Sequence, residues 1–445
     1  MKSSAWTIAA PNTPGEPPER TRQQHEFGVA LSTLRVLVGL TQEELSENSG
    51  LSVRTIRNLE NGHTERPRKK TCELLAHALD LSDTETRSLL AAAGWGVRSR
   101  SVPLTELPQP RSELPLTAPG LVGRQEILAG VCRYLSGDGS TYPAGGGRLA
   151  VVTGPPGSGK TALVAHAAQL LREEFPDGQI FIDLDDSSHE PLSPAAVVLR
   201  LLRSLRGGEP SETGEERAAA LRALLADRRV LVVADNADSE AQIRPLLTGS
   251  PGSAVLVAAR RQLWALPQSY AVELDPLSPE EAVLVLENLL GRDRTATEPS
   301  AVQSIALSCG HLPLSLHVAG LWIAARPHRR LRELADRLVD EKDRLDTLRV
   351  GDLSLRASVA AYFRRLAPAE QEALHRLGAL RGYFDVGDAA TALGVSRATA
   401  ADLIDDLTHH QMIWLSGPTS EGLFRYQLHD SVRLYASWAA AGGAY

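Results

Sequence analysis

The segment Gly154–Thr161, which reads GPPGSGKT, constrains the fold of this chain more than any other stretch. It follows the apolar run 149–153 and precedes the helical pattern 162–171. Glycines at this spacing let backbone N–H groups curve around a phosphate group, and the positive end of the next helix strengthens the attraction. Lys160 adds a point charge, and the hydroxyl of Thr161 is placed to hold Mg²⁺. The segment therefore predicts a phosphate-binding loop, or P-loop, in an α/β fold.

Short β-branched runs alternate with helical segments after this point, as a parallel sheet with two covered faces requires. The predicted strands are residues 149–153, 179–184, 230–234, 254–258 and 269–274. Asp235 follows the third strand, where a P-loop protein needs a carboxylate to hold Mg²⁺ through water; its alternative role is a helix cap. We predict Thr161 and Asp235 as metal ligands, and Lys160 and Asp235 as the residues that carry any hydrolysis. Asn236 comes next, and because an amide cannot accept a proton from the attacking water, we expect hydrolysis to be slow.

The length of 445 residues predicts several domains, because one hydrophobic core of ordinary size does not extend so far. A net charge of -7 argues against non-specific coating of nucleic acid, so any DNA contact needs a local basic surface. The longest apolar stretch, Leu312 to Ala325, is too short to cross a bilayer, and the N-terminus shows no apolar leader. The widely spaced cysteines predict neither disulfides nor a zinc site. We expect a cytoplasmic protein with no membrane contact.

Residues 25–97 carry a helix-turn-helix pattern. Thr41 begins a helix with a glutamate at the capping-box position, Gly50 marks the turn, and Ser52 caps a second helix. This region resembles the phage-repressor-like (XRE-type) DNA-binding domains. The resemblance and the basic strip up to Lys70 predict that double-stranded DNA is contacted by Gln42, Ser52, Arg54, Thr55, Arg57 and Asn58. The alternative is a solvated helical face in a protein-interaction adaptor.

From residue 121 to residue 439 the chain resembles the NB-ARC ATPases of the STAND class, the P-loop switches of bacterial regulators and plant immune receptors. Besides the P-loop, the matching segments are Val122–Arg124, Phe175–Leu184, Arg260 after its strand, Gly310–Leu314 and Leu428–Asp430. The chain departs from the family pattern where Ala258 and Ala259 replace hydroxyl residues, and where His311 and Leu428 replace the usual residues.

This resemblance implies a role for several residues. In the family, the arginine that matches Arg124 approaches the nucleotide, and the one that matches Arg260 senses the γ-phosphate. Pro313 is expected to pack on adenine, and His429 is expected to contact the β-phosphate of ADP and hold a closed state. The cofactors implied are ATP or ADP with Mg²⁺. The predicted nucleotide contacts are Val122, Arg124, Gly154, Pro155, Gly157, Ser158, Gly159, Lys160, Thr161, Ala162, Arg260, Pro313 and His429.

A second helix-turn-helix pattern lies between Gly387 and Leu407. Its second helix carries Arg397 against three carboxylates, Asp402, Asp405 and Asp406, which would repel a phosphate backbone. We therefore interpret it as the family's winged-helix clamp on the nucleotide rather than as a DNA reader.

Together these features predict a multidomain chain, with an all-α helix-turn-helix domain, an α/β P-loop domain built on a parallel sheet, a helical domain and a winged-helix domain. We expect a DNA-binding transcription regulator that is switched by ADP and ATP and self-associates on activation, in response to an unknown signal or partner. The alternatives are an ATPase motor or loader recruited to DNA, and a signalling scaffold whose first domain binds protein. The predicted boundaries are a disordered leader at 1–24, the helix-turn-helix domain at 25–97, a proline-rich linker at 98–120, the P-loop domain at 121–276, the helical domain at 277–350 and the winged-helix domain at 351–445.

Overall fold

The computed structural model falls into two units, Met1–Leu107 and Pro108–Tyr445. The predicted disordered leader lies outside the residues that the structure describes, and so does most of the predicted linker. No helix in the described residues is long and apolar enough to span a membrane. The structure describes residues 27, 31, 32, 35, 40–60, 67–79, 93, 114–115, 121–137, 148–186, 188–206, 214–247, 250–266, 269–418 and 424–440.

The first unit contains the predicted helix-turn-helix. Helix α1 (Gln42–Ser49) begins at Thr41, whose hydroxyl accepts a hydrogen bond from the Glu44 backbone N–H in a capping box. Gly50 ends this helix with φ 70°, a left-handed conformation that glycine adopts without strain. Helices α2 (Val53–Glu60) and α3 (Lys69–Ala78) follow. Leu45, Ile56, Leu59 and Leu75 are buried between them and form the core of this unit.

The second unit is built on a parallel sheet in which every predicted strand is present. The sheet order is β2-β3-β4-β1-β5, so β4 lies between β1 and β3. The third strand runs longer than predicted, through Ala237, and its register shifts between Ala234 and Ala237. The strands are β1 (Arg148–Thr153), β2 (Gly178–Asp183), β3 (Val230–Ala237), β4 (Ala254–Ala259) and β5 (Tyr270–Glu273).

Helices cover both faces of this sheet because side chains alternate along each strand. Ala150 and Val152 pack on one face with α4 (Gln125–Ser136) and α5 (Lys160–Leu170). Leu149 and Val151 pack on the other face with helices α6 (Pro194–Arg206) and α7 (Gly214–Leu225). A short helix, α8 (Glu240–Ile243), and a 3-10 turn, Arg244–Leu246, follow β3.

The rest of the second unit is mainly helical, and one buried core runs through it from Leu277 to Ala436. This core crosses the predicted boundary at residue 350. The last helices, with the antiparallel hairpin formed by Ile413–Pro418 and Phe424–Leu428, are compatible with a winged helix, which stays a prediction. The elements are α9 (Pro279–Leu290), α10 (Arg292–Thr297), α11 (Pro299–Ser308), α12 (Pro313–Ala324), α13 (Leu331–Val339), α14 (Glu341–Thr347), β6 (Arg349–Val350), β7 (Leu353–Ser354), α15 (Leu355–Phe363), α16 (Pro368–Leu377), α17 (Val386–Leu393), α18 (Arg397–His409), β8 (Ile413–Pro418), β9 (Phe424–Leu428) and α19 (Asp430–Ala440).

Candidate nucleotide site

The P-loop connects the end of β1 to the start of α5. Gly154 has φ 145°, and a Cβ placed on it would lie 2.7 Å from the carbonyl oxygen of Leu274. Gly157 and Gly159 have φ 80° and 91°, in the region that favours glycine. The glycines of the motif are therefore required by the shape of the loop, which places its backbone at the N-terminus of α5.

Lys160 is buried inside this loop. Its ammonium group donates to the carbonyl oxygens of Gly154 and Pro155, at 2.8 and 2.9 Å. Burial lowers the pKa of Lys160 to about 7; Asp235 opposes this shift, and the charge of Arg260 adds to it. A nearby phosphate group would restore the charged form, because an opposite charge stabilises an ammonium ion.

Asp235 and Thr161 meet at the carboxyl edge of the sheet. The hydroxyl of Thr161 donates to Oδ1 of Asp235 over 3.1 Å, and the backbone N–H of Asn236 donates to the same oxygen. Burial raises the pKa of Asp235. No group of three or more His, Cys, Asp or Glu side chains in the described residues forms a metal site by itself. Mg²⁺ would thus depend on phosphate oxygens together with these two side chains, which is how Mg²⁺ is usually held beside phosphates.

Arg260 lies at the same edge, directly after β4. Because β4 runs between β1 and β3, the residue after it is placed between the P-loop and Asp235. Its guanidinium pairs with Asp185 over 2.6 Å, and Asp185 also pairs with Arg365 over 2.9 Å. The ring of Tyr362 lies 5.2 Å from Lys160 Nζ and 5.8 Å from Arg260 Cζ, measured to the ring centroid. The sequence analysis did not identify Asp185, Tyr362 or Arg365, and no local motif marks them.

The P-loop, Asp235, Arg260 and Tyr362 line a cavity of about 720 Å³. Its lining includes the polar side chains of Lys160, Thr161, Asp235 and Arg260, and also apolar side chains such as Val122, Leu277, Leu289 and Pro313. A lining that combines charged and apolar side chains suits a ligand that joins phosphates to a flat base. Gly157, Ser158, Gly159, Ala162 and Arg124 also line the cavity.

The start of α12 packs directly on the P-loop. The backbone N–H of Leu314 donates to the carbonyl oxygen of Gly157 over 3.1 Å. Pro313 approaches Gly159, where an added Cβ would lie 3.8 Å from its side chain. His311, just before, holds φ 53° and accepts a backbone hydrogen bond from Leu277. Pro313 and Leu314, at the end of the predicted Gly310–Leu314 motif, line the cavity.

Arg124 is held at the entrance to α4. It donates to the backbone oxygen of Asp275, and burial lowers its pKa. Gly123, beside it, has φ 70°, and the carboxylate of Glu281 would have to shift to admit a side chain there.

His429 lies outside the residues that line the cavity, as do Gly154 and Pro155. Its ring packs edge-on against Trp414, with 4.0 Å between centroids. Burial and then the charge of Lys160 lower its pKa well below the usual value, so the imidazole is neutral at pH 7. Its Nε2 is buried without a hydrogen-bond partner among the described residues. A phosphate contact by His429 stays a prediction.

In the first unit, α2 presents Arg54, Arg57 and Asn58 to solvent while Ile56 and Leu59 are buried. Ser52 is exposed and accepts a hydrogen bond from the backbone N–H of Thr55. Gln42 donates to Glu60 over 2.6 Å and accepts from Arg57 Nε over 3.3 Å. These contacts hold Gln42 and Arg57 side by side on one exposed face.

The second helix-turn-helix pattern occupies α17 and α18. Asp402, Asp405 and Asp406 are exposed on α18. Because carboxylates repel a phosphate backbone, that α18 does not read DNA stays our prediction.

Two protein families match the chain. The family described as "Helix-turn-helix" matches residues 31–85, and the family described as "AAA domain" matches residues 144–253. The second match contains the P-loop, Asp185 and Asp235. A P-loop ATPase domain of this kind binds a nucleotide.

Solved structures give partial likenesses. The Aeropyrum pernix ORC2 protein has a TM-score of 0.45 and 14% identity, over 74% of this chain and 96% of that one. A STAND protein with a tetratricopeptide repeat sensor from Pyrococcus horikoshii has a TM-score of 0.32 and 16% identity, over 74% of this chain and 44% of that one.

Curated relatives include the regulatory protein AfsR of Streptomyces griseus, 36% identical over 329 residues, and AfsR of Streptomyces coelicolor, 36% identical over 330 residues. Each alignment covers 73% of this chain, and the chain spans about a third of the length of these relatives, 33% in both. A putative HTH-type transcriptional regulator of Mycobacterium bovis is 25% identical over 312 residues, which is 65% of this chain and 33% of that protein. The chain thus joins a helix-turn-helix domain to an AAA-type P-loop ATPase domain and is homologous to the AfsR regulatory proteins.

Proposed function

We propose that the chain is a DNA-binding transcription regulator whose helix-turn-helix is controlled by ADP or ATP, with Mg²⁺, in the P-loop cavity. The pair of domains and the homology to regulatory proteins support this function. The proposal concerns the part of the AfsR relatives that this chain spans.

One observation supports control by nucleotide. The cavity is lined by P-loop residues and also by Leu353, Ser358 and Tyr362. These three belong to the region after the sheet, which comprises the elements from Pro279 to Ala440. A ligand there touches both parts, so its size and charge affect how the two fit together. Only a difference in affinity between two arrangements lets a ligand change their balance. A terminal phosphate beside Lys160 and Arg260 provides such a difference between ATP and ADP.

The contacts between these two parts suit a reversible change. The backbone N–H of Gln262 donates to His409, and the Gln411 side chain donates to Glu273 over 3.0 Å. In the described residues, the buried core of the C-terminal region is separate from the cores on the two faces of the sheet. A junction between separate cores costs less to open than a shared apolar core.

We expect the opened form to self-associate. One helix-turn-helix reads few base pairs, and tethered copies gain affinity through effective concentration. A switch of this kind therefore changes DNA binding by changing how many helix-turn-helix domains are held together.

The test uses the full chain with ADP and with AMP-PNP, a non-hydrolysable ATP analogue. Mass by light scattering and binding to sites selected from random DNA should both change between the two nucleotides. Lys160→Ala should abolish both changes, whereas Arg172→Ala, an exposed cation just after α5, should leave them intact. Equal mass and equal DNA binding in both nucleotides would refute the proposal.

The same purified protein also tests the two alternative functions, an ATPase motor and a protein-interaction adaptor. Asn236 donates its side-chain N–H to Asp183 over 3.0 Å and offers no carboxylate as a base, which favours slow turnover. A turnover number above about 1 s⁻¹, ordinary for enzymes, would favour an ATPase motor. A DNA selection that enriches no motif would favour a protein-interaction adaptor.

A further inference from the structure

Two arginines share one buried carboxylate next to the nucleotide cavity. Asp185 follows β2, and its Oδ2 accepts from Arg260 Nη2 over 2.6 Å while its Oδ1 accepts from Arg365 Nη2 over 2.9 Å. The side chains of Asp185, Arg260 and Arg365 are only 3%, 9% and 10% exposed. Little solvent screens this cluster, so its charges interact more strongly than a surface pair does.

The cluster has more positive than negative charge. Glu190 also pairs with Arg365, over 3.3 Å, but its side chain is 73% exposed and contributes little. Arg260 Nε is buried without a hydrogen-bond partner in the described residues, although Arg260 lines the cavity near Lys160. An incompletely paired buried arginine beside a second cation is suited to an anionic group in the cavity.

We propose that Asp185 is a positioning residue that sets the preference between nucleoside triphosphate and diphosphate by competing with the terminal phosphate for Arg260. Arg365 tunes this competition, because it neutralises part of the charge that Asp185 presents to Arg260. The inference rests on the proposed function and adds the residue that sets nucleotide preference, with a link to the region after the sheet.

Removing each partner has an effect of opposite sign. Without the Asp185 carboxylate, the guanidinium of Arg260 has no competing anion and pairs fully with the terminal phosphate. Triphosphate binding therefore strengthens relative to diphosphate binding. Without the Arg365 guanidinium, the whole charge of Asp185 acts on Arg260, so triphosphate binding weakens relative to diphosphate. A cluster that only stabilises the fold would shift both variants in the same direction.

The experiment measures Kd for Mg·ADP and Mg·AMP-PNP on the full chain by calorimetry. We expect the ratio of the ADP Kd to the AMP-PNP Kd to rise roughly tenfold in Asp185→Asn, within the usual range of coupling between sites, and to fall by a smaller factor, roughly threefold, in Arg365→Gln. Glu190→Gln is the matched control, since it removes a carboxylate from Arg365 without touching Arg260, and its ratio should change less than about twofold.

Shifts of the same sign in both variants, or no shift in either, would overturn the inference. If Asp185→Asn does not fold, Arg365→Gln decides alone, because a ratio that rises or stays constant contradicts the competition. A native chain that binds neither nucleotide would instead refute the proposed function, so the two failures are distinguishable.

Discussion

The ammonium group of Lys160 lies 5.2 Å from the ring centroid of Tyr362, a residue of α15. This cation–π contact joins the P-loop to the region after the sheet. Such a contact contributes about 2 kcal/mol when it is desolvated and the amine is charged, and both side chains are buried. Tyr362 therefore forms the wall of the cavity that faces the P-loop cation.

Shortening Tyr362 should destabilise the second unit. We expect Tyr362→Ala to lower the free energy of unfolding by roughly 3–5 kcal/mol, because it removes a buried aromatic ring. Tyr362→Phe keeps the ring and should cost less than about 1.5 kcal/mol. Urea denaturation of the full chain measures both. Equal losses in the two variants would show that the hydroxyl, and not the ring, matters.

Nucleotide binding should take up a proton at Lys160. The pKa of Lys160 is about 7 without a phosphate nearby, so above pH 7 the amine is mostly neutral, and a phosphate raises the pKa. Affinity for ADP should therefore fall as the pH rises above 7, with uptake of up to about one proton per ADP at pH 8. Calorimetry in buffers of different ionisation enthalpy counts the protons. Lys160→Met should bind weakly and take up none, and proton release by the native chain would contradict the assignment.

Asp235 should make nucleotide affinity depend on Mg²⁺. In the native chain we expect Mg²⁺ to strengthen ADP binding about tenfold, and in Asp235→Asn less than about twofold, because the charged ligand beside Thr161 is lost. Titrations with and without EDTA give these ratios. The matched control is Asp177→Asn, at the opposite end of the strands, where the carboxylate accepts from the backbone N–H of Arg229. An unchanged Mg²⁺ effect in Asp235→Asn would remove this residue from the metal site.

Arg54 and Lys70 should contribute differently to DNA binding. Arg54 is exposed on α2, so Arg54→Ala should cost about 1–3 kcal/mol and relax the preference at one base pair. Lys70 lies in the first turn of α3, so Lys70→Ala should weaken binding to all sequences and reduce the salt slope by about 1. Binding to selected and scrambled sites over a salt series separates the two effects. If Arg54→Ala, like Lys70→Ala, weakened binding equally to selected and scrambled sites, Arg54 would contact the DNA backbone and not a base.

Local sequence predicts those parts of the site that local geometry determines. The glycines of the P-loop have positive φ, and few other residues adopt such a loop, so the motif marks both the bend and the start of α5. Asp235 was predicted because the apolar run before it ends at the carboxyl edge of a parallel sheet. The sheet order and the register shift before Ala237 arise from strand pairing and have no local signal.

Long-range contacts account for what the sequence did not reveal. Asp185 lies in a short acidic stretch that resembles an ordinary turn. The partners of its carboxylate, Arg260 and Arg365, are distant in sequence, and Arg365 is 180 positions away. His429 shows the converse limit. The charge of Lys160 contributes to its lowered pKa, and its packing against Trp414 depends on how β8 pairs with β9, which no local motif encodes.

The walls of the cavity come from segments as far apart as Pro115, Gly157, Pro313 and Tyr362. Expressing the matched AAA region alone would retain the P-loop and Asp235, yet the surface left behind would be an open groove. Studies of ligand recognition or inhibitor design on this protein consequently need a chain that extends at least through α15.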